Sequence, residues 1–208
     1  TRIKSVYFIG ITLIVAINIT LLILATPKSN EEIKSRLKYI EVKKMATDAI
    51  KKGEFDESIK HWNNAIKLIP GLWKPYFRLG VILTEKKRFL EANKNLKIAR
   101  KFNPKHTGIN FFLGLNFQIL KDFDQSEYYF RQAIQSRPEN PIIYERLGQT
   151  LYRKGSLIEA EKKYQACLLL DPNFSTAHLG LAVLLNESKR DNEAATHLKY
   201  AIDLGLKT

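Results

Sequence analysis

The chain has 208 residues and a formal net charge of +13, and 45% of its residues are hydrophobic. Its single cysteine, Cys167, excludes an intrachain disulfide. The four histidines are scattered and none has metal-ligand spacing, so we expect no metal site and no cofactor.

Residues 6–25 form a run of twenty positions without a charge. As a helix rising about 1.5 Å per residue, this run would cross the hydrocarbon core of a bilayer, roughly 30 Å thick. We therefore predict an N-terminal transmembrane anchor over residues 1–27. A cleaved signal peptide is the main alternative, but Ile23, Leu24 and Ala25 do not form the usual small-residue cleavage site. A second alternative is that residues 6–25 form a buried helix of a soluble domain.

Pro27 ends the apolar run, and Ser29-Asn30-Glu31-Glu32 is typical of a helix start. Residues 28–38 are predicted to be a short helical linker that holds the following domain close to the bilayer. The first twenty positions after the span contain six basic residues, against Arg2 and Lys4 before it. The positive-inside tendency then predicts a single-pass protein whose C-terminal domain is on the cytoplasmic or stromal side. First-helix signal anchors often reverse this outcome, so the extracytoplasmic side stays open.

From residue 39 onward the sequence repeats with a period of 34 residues. Four prolines share this spacing: Pro70, Pro104, Pro138 and Pro172. The glycines at 80, 114 and 148 share it too, as do the small residues at 65, 99, 133, 167 and 201. The period defines five units: 39–72, 73–106, 107–140, 141–174 and 175–208. A fixed period of this length indicates stacked structural repeats.

Each unit has helical apolar spacing with a break near its middle, such as Gly155, which predicts a pair of helices. The pattern resembles the tetratricopeptide repeat family, in which Leu-Gly, small, aromatic and proline positions recur every 34 residues. The resemblance covers residues 39–208 and implies an all-α superhelical solenoid of five helix-turn-helix repeats after the transmembrane helix. The terminal units depart from the pattern, with Met45-Ala46 in the first and Asp191 and Leu206 in the last. Terminal repeats face different neighbours, so this drift is expected.

The positive charge is concentrated near the predicted membrane. Residues 28–106 contain 20 Lys and Arg against 9 Asp and Glu, whereas residues 107–208 contain 12 of each. An anionic leaflet attracts each basic residue at its surface by about 1 kcal/mol. We predict that a basic patch on the second unit faces lipid, made of Lys86, Lys87, Arg88, Lys94, Lys97, Arg100 and Lys101. A solvated surface is the alternative, and nucleic-acid binding is disfavoured because the patch lacks stacking aromatics.

The sequence contains no glycine-rich phosphate loop, no nucleophile elbow and no concentrated carboxylate pair, so we expect no enzymatic activity. His178 occupies a place where other units have tyrosine, which favours a partly buried structural role. Cys167 occupies the small-residue place of its unit, where packing explains it.

In the family that the chain resembles, first helices line a concave binding face. The basic clamp that some members use for a C-terminal carboxylate is missing, because Thr47, Gly108 and Phe112 stand at its places. Apolar residues predict the partner-binding groove instead: Phe77, Val81, Phe111, Leu115, Ile119, Tyr152, Leu179 and Val183. Its ligand would be an amphipathic helix or an extended apolar segment of a protein. The alternative is that these side chains pack between neighbouring first helices.

A second apolar face, with Leu198 and Ile202, lies near the end of the sequence, and we expect another chain or a second copy to cover it. Together these features predict a membrane-anchored scaffold that recruits protein partners or assists assembly of a membrane complex, such as a photosynthetic or respiratory one. The alternative is a permanent structural subunit of a large membrane complex.

Overall fold

The computed structural model describes residues 30–205, which form ten α-helices and no β-strand. The helices are α1 Asn30–Lys51, α2 Phe55–Leu68, α3 Trp73–Glu85, α4 Phe89–Phe102, α5 Thr107–Ile119, α6 Phe123–Ser136, α7 Pro141–Arg153, α8 Leu157–Leu170, α9 Ser175–Glu187 and α10 Asp191–Asp203. The predicted transmembrane helix at residues 6–25 lies outside this part of the chain. None of the ten described helices combines the length and apolar character that crossing a bilayer requires.

Consecutive helices pair as the repeat predicts, and each pair packs on the next to form a solenoid. The odd-numbered helices are the first helices of the units, and contacts of α3 with α5, α5 with α7 and α7 with α9 place them in one layer. The even-numbered helices are the second helices. The predicted linker is helical from Asn30, and it continues without a break into the first unit as part of α1.

The small residue at the eighth place of a unit allows its two helices to approach closely. A β-carbon built on Gly80 would lie 2.6 Å from Cγ of Leu96, which is closer than real β-carbon contacts. Leu96 belongs to a register of large side chains on the second helices. Within it Trp62, Leu96, Phe130 and Tyr164 are at most 3% exposed. Core clusters join neighbouring units, as where Leu96 and Ala99 of α4 pack with Ile109 and Leu113 of α5.

The structure explains why serine replaces the tight alanine of the repeat in two units. Ser58 is buried, and its Oγ donates to the carbonyl oxygen of Ala46 at 2.8 Å. Ser126 is also buried, and its Oγ lies 3.1 Å from Oγ1 of Thr150 in the next unit. A buried hydroxyl is tolerated when it is hydrogen-bonded, and both serines meet this condition.

The turn between the two helices of each unit contains one residue with left-handed backbone angles. These residues share the fifteenth place of the unit: Gly53, Lys87, Lys121, Gly155 and Lys189, with φ between 59° and 85°. Glycine adopts this conformation without steric cost, whereas lysine does so at a cost of about 1 to 2 kcal/mol. Sequence periodicity located the break but did not predict that lysine would occupy it three times.

Candidate functional site

The predicted groove residues lie on the layer of first helices, where they divide into packed and exposed groups. Phe77 is half-buried, with its ring 5.0 Å from that of His106 and 6.1 Å from that of Phe112. Phe111 is also half-buried and lies 5.8 Å from the ring of Phe130. Leu115 packs against the same core cluster as Phe111. These side chains serve packing as well as presenting part of their surface.

The exposed apolar side chains lie farther along the solenoid. Ile119 is 48% exposed, and Leu179 and Val183 are 38% and 42% exposed. Val81 is half-buried on α3. Tyr152 is half-buried, and its hydroxyl donates to the carboxylate of Glu187, which links α7 to α9. Apolar surface available to a ligand is therefore concentrated in units three to five.

Two clefts adjoin each other at α7 in this region. The first has a volume of about 430 Å³ and is lined by Leu115, Gln118, Ile119, Lys121, Phe123, Arg146, Gln149 and Arg153. The second has a volume of about 350 Å³ and is lined by Glu145, Arg146, Gln149, Tyr152, Arg153, Tyr164, Thr176, Leu179, Gly180 and Val183. We call the two clefts together the groove. Arg146, Gln149 and Arg153 line both of them, and exposed apolar side chains lie on either side.

Arg146 is the principal groove residue that the sequence reasoning missed. Its Nε is buried without a hydrogen-bond partner and lies 3.3 Å from Oε2 of Glu145. Its Nη1 donates to Oε1 of Gln149 at a long 3.4 Å. Buried polar groups are normally hydrogen-bonded, and an arginine fork matches a carboxylate in geometry. The side chain as a whole is 39% exposed, so its Nη atoms, rather than the buried Nε, could bind a carboxylate of a ligand in the groove.

Glu145 is buried beneath the groove. Burial raises the pKa of this carboxyl, and the neighbouring Arg146 only partly opposes the effect. Burial and the charge of Glu145 also raise the pKa of Cys167 to about 12. The Cys167 thiol is consequently neutral at ordinary pH, as suits a packing role in its buried position.

We expect Glu145→Gln to raise the melting temperature near neutral pH, because the buried carboxylate must otherwise be ionised at a cost. A carboxyl whose pKa is higher in the folded chain loses stabilisation as pH rises above its ordinary pKa of 4.5. The melting-temperature difference between variant and parent should thus grow from pH 4.5 towards neutrality and vanish in more acidic solution. Glu139→Gln, at an exposed position, serves as the control. A variant less stable than the parent at pH 7 would show that the ion pair with Arg146 outweighs burial.

The residues of the predicted basic patch are in one unit, but several already have partners. Lys86 forms an ion pair with Asp56 at 2.9 Å, and Arg88 forms one with Glu91 at 2.6 Å. Nε of Arg100 donates to Oδ1 of Asn110 at 2.9 Å. Lys97 lies over an aromatic ring of α5. That this patch faces lipid stays a prediction.

The structure brings together two histidines that are far apart in sequence. His178 is buried, and its Nε2 donates to the carbonyl oxygen of Pro172 at 3.0 Å. Its Nδ1 lies 2.9 Å from Nδ1 of His197. When His178 is neutral its Nδ1 must accept, so His197 donates. Among residues 30–205 no group of three or more histidine, cysteine or acidic side chains is arranged to hold a metal ion.

The second predicted apolar face borders another cleft. Leu198 and Ile202 are exposed, and a cleft of about 450 Å³ beside Leu198 is formed by α9 and α10. We call it the end cleft, and its lining is Leu179, Ala182, Val183, Asn186, Glu187, Asp191, Ala194, Ala195 and Leu198. No described helix covers it. The expectation that another chain does so stays a prediction.

Known proteins share both the repeat and the fold. The family model described as tetratricopeptide repeat matches residues 113–168. The matched residues extend from Leu113 on α5 to Leu168 on α8. Solved structures extend the same fold over most of the described residues. MamA from Desulfovibrio magneticus superposes with a TM-score of 0.76 and 15% identity, covering 86% of this chain and 97% of that one. YrrB, described as a TPR protein with an unusual peptide-binding site, has a TM-score of 0.69 and 19% identity, covering 77% and 82%.

Among curated proteins, similarity is confined to part of much longer chains. The peroxisomal targeting signal receptor of Candida glabrata is 31% identical over 127 residues, which are 58% of this chain and 22% of the receptor. Protein O-mannosyl-transferase Tmtc1 of Drosophila melanogaster is 31% identical over 125 residues, which are 57% of this chain and 15% of the transferase. The chain thus spans at most about a fifth of these relatives, whose names describe different activities.

Proposed function

We propose that this chain is a membrane-anchored protein-interaction scaffold that binds partner proteins through its groove and assists assembly of a membrane complex. The observation that carries the binding role is the groove itself. Exposed Ile119, Leu179 and Val183 flank the basic and amide side chains of α7 there. The role proposed is binding rather than catalysis.

The chemistry of the groove favours an extended segment that combines apolar side chains with a carboxylate. Burying three apolar side chains against a ligand contributes several kcal/mol, at roughly 25 cal/mol per Å² of apolar area. Arg146 and Arg153 supply positive charge between the apolar positions. The peptide-binding site of YrrB and the targeting-signal recognition for which the peroxisomal receptor is named support a peptide-like ligand for the same fold.

The membrane part of the proposal is supported by the uncharged run at residues 6–25 and by the basic excess that follows it. In this arrangement α1 begins only a few residues after the span, so the groove would operate close to the bilayer. The repeats are proposed to lie on the cytoplasmic or stromal side. A permanent structural subunit is the second candidate, because the same groove could hold a neighbouring subunit continuously.

Stoichiometry separates these two candidates. The tagged full chain would be extracted from its native membranes in mild detergent, and the molar ratio of each copurifying protein measured by quantitative mass spectrometry. An assembly factor is expected to recover incomplete complexes at well below one chain per complex, and a structural subunit to copurify with the finished complex at a fixed ratio. Release of the chain from membranes by an alkaline wash would contradict the anchor, and absence of any membrane-protein partner would contradict the scaffold.

A further inference from the structure

The first helix carries an exposed apolar stripe that the repeat does not explain. Helix α1 has 22 residues, whereas the other nine described helices have 13 or 14. In its N-terminal half, Ile33, Leu37 and Ile40 are 41%, 62% and 62% exposed. Their spacing of four and three residues puts them on one face of the helix. We call these three residues the head stripe.

The head stripe has the same spacing as the face that interior first helices bury. On α9 that face consists of Ala177, Leu181 and Leu184, all at most 1% exposed. Ile109 and Leu113, the corresponding first two positions on α5, pack in one cluster with Leu96 and Ala99 of the preceding unit. The head stripe therefore has the apolar spacing of a first helix, and no second helix precedes it among residues 30–205.

The end cleft is the matching half of such a contact. Leu198 of the end cleft occupies the same place in its unit as Tyr164 does in the unit before. The first helix that follows Tyr164 packs directly on its ring, since a β-carbon built on Gly180 would lie 2.6 Å from the ring. In the described chain no further first helix reaches Leu198, which is 41% exposed. The end cleft is thus a site that the repeat geometry suits to a first helix.

Charge selects between possible occupants of the end cleft. Glu187 and Asp191 line it, and no basic side chain does. Beside the head stripe, Lys44 continues the same face one turn further and Lys43 lies along one edge, whereas Glu41 lies along the other edge and Arg36 is already paired with Glu32 at 2.9 Å. The end cleft is apolar and acidic, and the head stripe is apolar with Lys44 and Lys43 beside it. The two surfaces therefore match in apolar character and are opposite in charge.

We propose that copies of this chain associate head to tail, with the head stripe of one copy packed in the end cleft of the next. The contact uses the head stripe rather than the face of α1 that is equivalent to Ala177, Leu181 and Leu184 on α9. In the first unit Glu41 occupies the place of Ala177, Ile143 and Ile109, all of which are fully buried, so a charge blocks the ordinary stacking position. The contact is heterologous, because two different surfaces meet.

Cysteine crosslinking in the full-length, membrane-inserted chain tests this contact. The single native cysteine is buried, so introduced thiols can be crosslinked with little background by a short bis-maleimide. Leu37→Cys and Val183→Cys are made in two differently tagged chains. We expect a two-chain product when the two are mixed, and none when either is treated alone. Ile158→Cys, at a 78% exposed position outside the end cleft, replaces Val183→Cys in the control and should give no product.

A further substitution tests the apolar contact without altering the crosslinked positions. Adding Ile40→Glu to the Leu37→Cys chain should reduce the mixed product by about tenfold or more, since it places a carboxylate beside the acidic lining of the cleft. No mixed product, a product from Leu37→Cys alone, or equal reaction with Ile158→Cys would each overturn the proposal. If lipid vesicles, rather than a second chain, protect the Leu37→Cys thiol from the maleimide, the stripe contacts the bilayer. That result would also overturn the head-to-tail proposal.

Discussion

Leu96→Ala is expected to lower the free energy of unfolding of the repeat domain by about 3 kcal/mol, within the range of roughly 2 to 5 observed for buried leucines. Leu96 has no exposed surface and packs against the closest approach of its helix pair, at Gly80. It also joins Ile109 and Leu113 in the cluster that connects units two and three. Its truncation would leave a cavity within a unit and weaken the packing between two units.

Leu198→Ala is the matched control, because the same residue type occupies the same register place in the last unit. Leu198 is 41% exposed, so its truncation should cost less than about 1 kcal/mol in the isolated domain. Both variants can be compared by urea denaturation followed by circular dichroism, in chains that lack residues 1–27. Equal losses of stability would show that the neighbouring unit contributes nothing to the burial at this place.

The repeat architecture could be predicted because the same packing contact recurs at a fixed spacing. A glycine packs opposite a large side chain in successive units, as Gly80 does opposite Leu96, so both residue types recur in the sequence every 34 residues. The left-handed turn residues can be recognised in the sequence only where the residue is glycine. At Lys87 and Lys121 the backbone adopts the same conformation against the preference of the side chain, and local hydrogen bonds at the helix end accompany it, such as that from the Arg88 amide to the Leu83 carbonyl oxygen at 2.8 Å.

The groove could be predicted in position but not in detail. Residue type identifies Phe111 and Ile119 equally as apolar, yet Phe111 packs against Phe130 while Ile119 remains exposed. The difference depends on how close a side chain of a neighbouring helix lies to each of them, and one sequence does not give that distance. Arg146 shares the sixth place of its unit with Phe112, and the sequence reasoning considered that place only for the basic clamp.

Ile119→Asp is expected to weaken binding of a groove partner by about 10- to 100-fold. An isoleucine side chain buried against a ligand stabilises the complex by about 1.5 to 3 kcal/mol, and each 1.4 kcal/mol corresponds to about a factor of ten in affinity. The new carboxylate would also lie beside the arginines of α7, where it would compete with the carboxylate that we propose for the ligand. Both effects act in the same direction.

The folded domain should tolerate this change, because Ile119 is already 48% exposed at the end of α5. Ile158→Asp provides the matched control, since Ile158 is 78% exposed and belongs to neither cleft of the groove. Affinity for the partner recovered with the full chain can be measured for parent and variants, together with each melting temperature. A loss of affinity in Ile119→Asp alone, at nearly unchanged melting temperature, is the expected result. Equal losses in both variants would move the binding surface elsewhere, and a large fall in melting temperature would assign Ile119 to the core of the solenoid instead of to its ligand groove.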